Sequence, residues 1–189
     1  DAVLQLEAAV GQPLLHGAYE TAFHDNNMRA IQVLLTKADF TRKDFQGLFH
    51  LALQIPEIVP IVNENDAVCT DEISGKFTDN DQLACHLAEM VRPDFVAFLT
   101  STDGVLADIH DSESTISLLR ADDEIPASVT DNSNGNGRGG MRRKIQNLQS
   151  LARKGILGFI LEGGDSDVLP KALRGEPVGT LIYPDRMVH

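Results

Sequence analysis

Two clusters of amide and carboxylate side chains flank one polar stretch and could together bind a ligand. The first, residues 63–66 (NEND), directly follows an apolar run at residues 58–62 (IVPIV), and the second, residues 79–81 (DND), comes thirteen residues after the first. A short apolar run predicts a buried strand of a parallel sheet, and ligands bind outside the carboxyl ends of such strands. The pattern therefore predicts a ligand site here. The alternative is that Asn and Asp only form turns and helix N-caps.

A glycine-rich segment that leads into a basic helix has the composition of a phosphate site. It runs through residues 131–140 into residues 141–154, MRRKIQNLQSLARK. Glycines let backbone N–H groups approach a phosphate, and a helix N-terminus adds partial positive charge. The cationic residues that start this helix oppose its dipole, which is expected if an anion lies there. The alternative is a flexible linker followed by a solvated basic face, and the P-loop pattern GxxxxGKS or GxxxxGKT is absent.

The elements that would position these groups alternate between strands and helices. Apolar runs predict strands at residues 29–36, 58–62, 95–100, 156–161 and within 174–185. Helical spacing predicts helices at residues 41–54, 82–91, 141–154 and 166–173. This alternation predicts an α/β fold with a mostly parallel sheet.

Three segments are less regular than these elements. Residues 2–24 have helical spacing that Gly11 and Pro13 interrupt, so they form either one kinked helix or two helices in series. Residues 100–104 (TSTDG) form either a plain β-turn or a turn that contacts a ligand at the sheet edge. Residues 107–140 are acidic and polar, and we predict a mobile loop there.

Composition narrows the class of protein. The chain has 189 residues, 42% of them hydrophobic, which is enough for one domain with a sizeable core. Its net charge of −12 argues against nucleic acid or an anionic membrane as the main partner. Two cysteines are too few for a secreted disulfide scaffold, so we expect a cytoplasmic protein. The first residues already have helical spacing, and we therefore expect a further segment upstream.

Several strings of residues occur in an order that is typical of one enzyme family. They are IVPIVNENDAV, FTDNDQLACHLAEMV, FLTSTDGVL, GRGGMRRKIQNLQSLARKGI and EPVGTLIYP, with AAVGQPLL and QVLLTKADF upstream. Together they make the chain resemble the amino-acid kinase family and, within it, the glutamate 5-kinases. The resemblance implies a three-layer αβα sandwich with a mostly parallel central sheet. It implies a single domain over residues 1–189 that lacks the first strand or strands and has no C-terminal PUA domain.

The resemblance also implies an activity. It is ATP-dependent phosphorylation of the γ-carboxylate of L-glutamate to glutamyl 5-phosphate, the first step of proline biosynthesis, with ATP and Mg²⁺ as cofactors. It further implies a homo-oligomer and feedback inhibition by proline. Phosphoryl transfer is mostly positioning and electrostatic stabilisation, and neutral amides can hold an acidic substrate without adding negative charge.

The resemblance assigns roles to individual residues. It implies that glutamate is held by Asn63, Asp66 and Asn80. It implies that Asp81 orients catalytic lysines and that Lys144 stabilises charge on the transferring phosphoryl group, and it assigns no metal ligand. The nucleotide contacts that it implies are Thr100, Ser101, Arg138, Gly139, Gly140, Met141, Arg142, Arg143 and Lys144.

The chain departs from the family pattern at several points. Thr100-Ser101 replaces the usual Thr-Asp after the FLT strand, and residues 137–140 (GRGG) replace the usual GTGG. The lysine and the Gly-Ser turn of the family's first strand are not within these residues. Two other functions therefore stay open, namely a catalytically impaired binding or regulatory module and a kinase of another small acid.

Overall fold

The computed structural model describes residues 2–68, 77, 79–108, 110–129 and 140–185. Its helices are α1 (Ala2–His24), α2 (Lys43–Leu53), α3 (Asn80–Val91), α4 (Met141–Ala152) and α5 (Val168–Leu173), with a 3-10 helix at Lys37–Thr41. Its strands are β1 (Arg29–Leu35), β2 (Ile58–Glu64), β3 (Phe95–Thr100), β4 (Val105–Leu106), β5 (Thr115–Ile116), β6 (Leu118–Arg120), β7 (Leu157–Glu162) and β8 (Thr180–Tyr183). Two compact units divide the chain, Asp1–Met90 and Val91–His189.

In the first unit, helices cover both faces of a parallel strand pair. β1 and β2 pair from Arg29↔Ile58 to Leu35↔Glu64. Leu35 packs on one face of this pair against Leu83 of α3, together with Phe45 of α2. Successive side chains of a strand point to opposite faces, and α1 lies on the other face.

α1 is one helix of 23 residues with Pro13 in its interior. Of the two arrangements that the sequence left open, two helices in series is therefore wrong. Side-chain contacts hold α1 to β1, since Glu20 accepts hydrogen bonds from the Arg29 side chain and from the Ala30 backbone N–H at 2.8 Å. The hydrogen bond from Arg29 holds the pKa of Glu20 below its ordinary value.

The second unit contains a four-stranded sheet in the order β3-β7-β8-β6. β3 pairs with β7 and β6 pairs with β8 in parallel, whereas β7 and β8 are antiparallel. β4 and β5 form a separate antiparallel pair. The β1–β2 pair of the first unit and two of the three pairings in this four-stranded sheet are parallel, which confirms the predicted α/β class with a mostly parallel sheet.

The amphipathic helix α4 packs against β7 and β8. Its buried residues include Ile145, Leu148, Leu151 and Ala152, as the helical spacing predicts. Gly158 of β7 permits this contact, because a Cβ atom there would lie 2.9 Å from the Cβ of Leu148. The helix ends at Ala152, and Gly155 in the turn that follows has a φ of 87°, which is favourable for glycine.

The prediction of a mobile loop over residues 107–140 is wrong where the structure describes this segment as β5, β6 and turns. β6 pairs with β8, and Leu119, Ala121 and Val129 are buried. The acidic residues around them are exposed. The average composition of residues 107–140 is therefore polar, although a few apolar side chains within the segment are buried. Residues 109 and 130–139 lie outside the described residues, and so the glycine-rich segment is described only at Gly140.

No helix in the described part of the chain is both long and apolar enough to cross a membrane.

Candidate active site

In the first unit, a cavity of about 160 Å³ lies between α1 and the end of the β1–β2 pair. Its lining mixes polar and apolar groups and consists of Gln12, Leu15, His16, Tyr19, Gln32, Ile61, Val62, Asn63 and Asn80. The structure therefore places Asn63 and Asn80, which come from the two polar clusters, on one cavity. Four carboxamide side chains converge there, and such groups donate and accept hydrogen bonds without carrying charge.

The carboxyl end of β2 positions the first cluster. The Asn63 side-chain oxygen accepts a hydrogen bond from the backbone N–H of Glu64 at 2.9 Å. Glu64 is buried, and its Oε1 accepts a hydrogen bond from the backbone N–H of Phe77 at 2.8 Å. Asp66 follows in a turn and is half-buried.

Glu64 is a residue that the sequence reasoning missed. Its carboxylate bonds to the backbone at Phe77, two residues before Asp79 and the second polar cluster. The available signal was a charged side chain directly after an apolar strand, where burial requires a hydrogen-bond partner.

The second cluster begins α3. Asp79 Oδ1 accepts a hydrogen bond from the backbone N–H of Gln82 at 2.9 Å, which is an N-cap contact. The alternative that these residues only form turns and helix N-caps therefore accounts for Asp79. Asn80 is the first residue of α3 and lines the cavity, and Asp81 beside it is half-buried.

In the second unit, the turn after β3 satisfies its own polar groups. The Thr100 hydroxyl donates to the carbonyl oxygen of Thr102 at 2.8 Å. Gly104 has a φ of 87°, and a Cβ atom there would lie 2.6 Å from the Thr180 hydroxyl. The plain-turn alternative thus accounts for the hydroxyl of Thr100, while Ser101 is exposed.

Thr180 is a second residue that the sequence reasoning missed. It is fully buried, and its hydroxyl accepts from the backbone N–H of Val105 at 2.8 Å and donates to the carbonyl oxygen of Ile116 at 2.6 Å. One side chain thereby links β8 to β4 and β5, immediately beside the turn after β3. Such contacts join distant parts of the chain, so spacing along the sequence could not reveal them.

The first turn of α4 brings a cation to β3. Gly140 is the N-cap residue, and the Lys144 ammonium lies 5.3 Å from the centre of the Phe98 ring. Phe98 and Thr100 are two residues apart on one strand, so their side chains share a face. Lys144 and Thr100 therefore lie along the same face of β3.

The other residues predicted to contact the nucleotide are only partly described. Met141, Arg142 and Arg143 are half-buried in α4, and Arg142 donates to the carbonyl oxygen of Val129 at 3.1 Å. Arg138 and Gly139 lie outside the described residues.

The two sets of predicted residues belong to different units of the chain. Asn63, Asp66, Asn80 and Asp81 are in the first unit, whereas the described nucleotide residues are in the second. Within the described ranges, no group of three or more His, Cys, Asp or Glu side chains is placed to hold a metal ion. The first turn of α4 contains no acidic residue, so it suits a phosphate better than a cation.

Comparison with solved structures defines the fold. The chain superposes on a carbamate kinase from Giardia with a TM-score of 0.65 and 17% identity, over 96% of this chain and 74% of the kinase. It superposes on an isopentenyl phosphate kinase with a TM-score of 0.57 and 20% identity, over 90% of this chain and 65% of that protein. The protein therefore has the α/β fold of these kinases, as predicted.

Comparison of sequences identifies the family. Residues 2–162 match the amino acid kinase family, and the chain belongs to it. The chain is 39% identical over 188 residues to the glutamate 5-kinase of Chromohalobacter salexigens and 36% identical over 189 residues to that of Hydrogenovibrio crunogenus. These alignments include 96% of this chain but 49% and 50% of the two relatives. The chain thus spans about half the length of the curated relatives that it matches, and the predicted resemblance is confirmed.

Proposed function

We propose that the protein phosphorylates the γ-carboxylate of L-glutamate with ATP, as the names of its relatives indicate. The observation that carries this proposal is the cavity at the carboxyl end of β2, where Asn63 and Asn80 meet. This is the edge at which open α/β sheets bind ligands. The chain's similarity to glutamate 5-kinases selects glutamate from the small acids that such a cavity could take.

In this proposal, the amides of Asn63 and Asn80 bind the acid through neutral hydrogen bonds, and Asp66 pairs with its ammonium group. Neutral donors matter because the acid and the nucleotide are both anions that must approach each other. Asp81 holds catalytic lysines in place without reacting itself.

Residues of the second unit bind the nucleotide in this proposal. The turn at Thr100 and Ser101 and the start of α4 contact ATP, and Lys144 stabilises the charge that develops on the transferring phosphoryl group. Contact with Phe98 limits the positions that the Lys144 ammonium can take. Mg²⁺ would enter with the nucleotide, because such sites bind it through substrate phosphates and one or two carboxylates.

Membership of the amino acid kinase family supports the expectations about domain organisation, oligomeric state, location and feedback inhibition. We therefore include in the proposal a single amino-acid kinase domain that contains residues 1–189, a homo-oligomer in the cytoplasm, and proline as a feedback inhibitor.

The test is a glutamate-dependent ATP-turnover assay on the natural full-length protein and on Lys144→Met. Methionine keeps the apolar stem of lysine and removes the charge, so we expect kcat to fall about 100-fold to 1,000-fold. The KM for glutamate should change little, because Lys144 is assigned to the transferring phosphoryl group. Lys43→Met, at an exposed position that begins α2, is the matched control and should behave as the wild type.

Two outcomes would contradict the proposal. Turnover that depends on another small acid, with none on glutamate, would make the protein a kinase of that acid. Binding of glutamate and ATP by the wild type without turnover would make it a binding or regulatory module.

A further inference from the structure

One face of α1 carries polar side chains at a spacing of four residues. Gln12, His16 and Glu20 follow one another at this spacing, which places them on the same face of a helix. Gln12 and His16 both line the cavity that contains Asn63 and Asn80. The sequence reasoning treated this segment only as a helix interrupted by Gly11 and Pro13, and it assigned no chemistry to these residues.

Contacts on both sides of His16 fix its position relative to β1. One turn earlier, the side-chain amide of Gln32 donates to the backbone carbonyl oxygen of Gln12 at 3.4 Å. One turn later, Glu20 accepts a hydrogen bond from the backbone N–H of Ala30 at 2.8 Å. These contacts fix the helix on both sides of His16, a residue that lines the cavity.

The Nδ1 atom of His16 is buried, and none of the described residues forms a hydrogen bond with it. A buried polar atom without a partner is costly to the folded protein. Because this atom has no surface open to the cavity, the imidazole must turn before a ligand there can form the missing hydrogen bond, and a ligand that does so would offset this cost on binding. Relief of this unfavourable free energy would then contribute to the affinity for that ligand.

The rest of the lining indicates which chemistry this ligand has. The other nitrogen-bearing side chains around the cavity are the neutral amides of Gln12, Gln32, Asn63 and Asn80. Among the described lining residues, His16 is the side chain that carries an imidazole. An imidazole N–H is a suitable donor to a carboxylate. The volume of about 160 Å³ is close to the roughly 150 Å³ of an engineered cavity that holds benzene, so the ligand is small.

We propose that His16 is a specificity-determining residue of this cavity, and that its Nδ1–H donates a hydrogen bond to a carboxylate of the bound amino acid. This inference rests on the proposed function, because it takes the cavity as the glutamate site. His16 would act in binding the acid and would take no part in the phosphoryl transfer itself.

The experiment compares His16→Leu, His16→Gln and the wild type as full-length proteins. The KM for glutamate and calorimetric binding of L-glutamate without ATP are both measured. We expect His16→Leu to weaken glutamate binding about tenfold or more, with little change in the KM for ATP. His16→Gln retains an N–H donor and should recover most of the loss. His24→Leu is the matched control at an exposed position of the same helix, and it should bind glutamate as the wild type does.

The outcomes separate the inference from the proposed function. Wild-type turnover of glutamate with unchanged binding by His16→Leu would overturn the role of His16 and leave the proposed function standing. A wild-type protein that neither binds nor phosphorylates glutamate would overturn both.

A second measurement needs no variant and remains decisive if His16→Leu does not fold. The imidazole ¹⁵N resonances of His16 are followed in the labelled wild type during titrations with L-glutamate and, separately, with ATP. A change of the Nδ1 shift that saturates with glutamate and not with ATP is the expected result. An Nδ1 shift that stays constant while glutamate binds would overturn the inference.

Discussion

At the scale of single residues, buried polar groups determine how the first unit holds the end of β2. Glu64 is 6% exposed and bonds to the backbone N–H of Phe77, which is itself buried. The hydrogen bond offsets the desolvation of the carboxylate and ties two distant positions of the chain together. Asn63 lines the cavity directly beside it. The geometry of the candidate acid site therefore depends on Glu64, which does not line the cavity itself.

Glu64→Ala should destabilise the protein by about 1–3 kcal/mol, because it leaves the buried N–H of Phe77 without its acceptor. Glu64→Gln keeps an acceptor oxygen and should lose less. Urea unfolding followed by circular dichroism measures both changes, with Glu57→Ala as the control at an exposed position just before β2. Equal midpoints for Glu64→Ala and the wild type would show that the Phe77 N–H finds another partner.

At the scale of elements, the close contact of α4 with β7 places Lys144. Leu148 lies against Gly158, where the backbone of β7 leaves room for it. Lys144 is one turn earlier on the same helix, so any shift of α4 moves its ammonium relative to Phe98. Close packing is thus required at a position four residues from the proposed catalytic group.

Gly158→Ala should destabilise the protein by about 1–3 kcal/mol, because the added methyl group would lie 2.9 Å from the Leu148 side chain. We also expect a lower kcat, since α4 must shift. Gly47→Ala in α2 is the matched control, because no atom lies within 4 Å of its added Cβ. That change should stabilise the protein by about 0.5–1 kcal/mol, as expected for alanine in a helix. The Tm of each variant is measured by thermal unfolding. Similar Tm values for Gly158→Ala and Gly47→Ala would contradict the packing argument.

At the scale of the whole molecule, ionised carboxylates contribute stability that depends on pH. A side-chain hydrogen bond from an arginine or a lysine holds the pKa below its ordinary value at Glu20, Asp44, Asp122 and Asp165. The ordinary values are 4.5 for Glu and 3.8 for Asp. A lowered pKa in the folded state stabilises the protein above the ordinary value, and this contribution is lost as pH falls through the folded value. Asp185 acts in the opposite sense, because its hydrogen bond with Asp122 raises its pKa.

The Tm should therefore fall as the pH is lowered from about 5 to about 3, since the carboxyl groups with a lowered pKa, Asp39 included, outnumber Asp185. Differential scanning calorimetry at constant ionic strength measures this change. The fall should be smaller in 1 M salt, because Asp44 and Asp122 are exposed and salt screens their ion pairs. A Tm that rises over this range would show that carboxyls like Asp185 dominate.

Local patterns account for what the sequence could predict of this molecule. The apolar run before Asn63 and the helical spacing of α4 each depend on neighbours along the chain, and both elements form as expected. β6 was missed because its buried Leu119 lies among exposed acidic residues and pairs with β8, about sixty residues later. His16 and Glu64 were missed for a related reason, since each acquires its role from residues distant in the sequence.

The assignment of the candidate residues to two separate stretches has an evolutionary consequence. Under the proposed function, the residues assigned here to the acid lie before Met90, and those assigned to the nucleotide lie after it. Substitutions in the first stretch, at His16 for example, can change the acceptor acid while the phosphate donor stays the same. Descendants of one ancestral gene could in this way acquire new acceptors while continuing to use ATP.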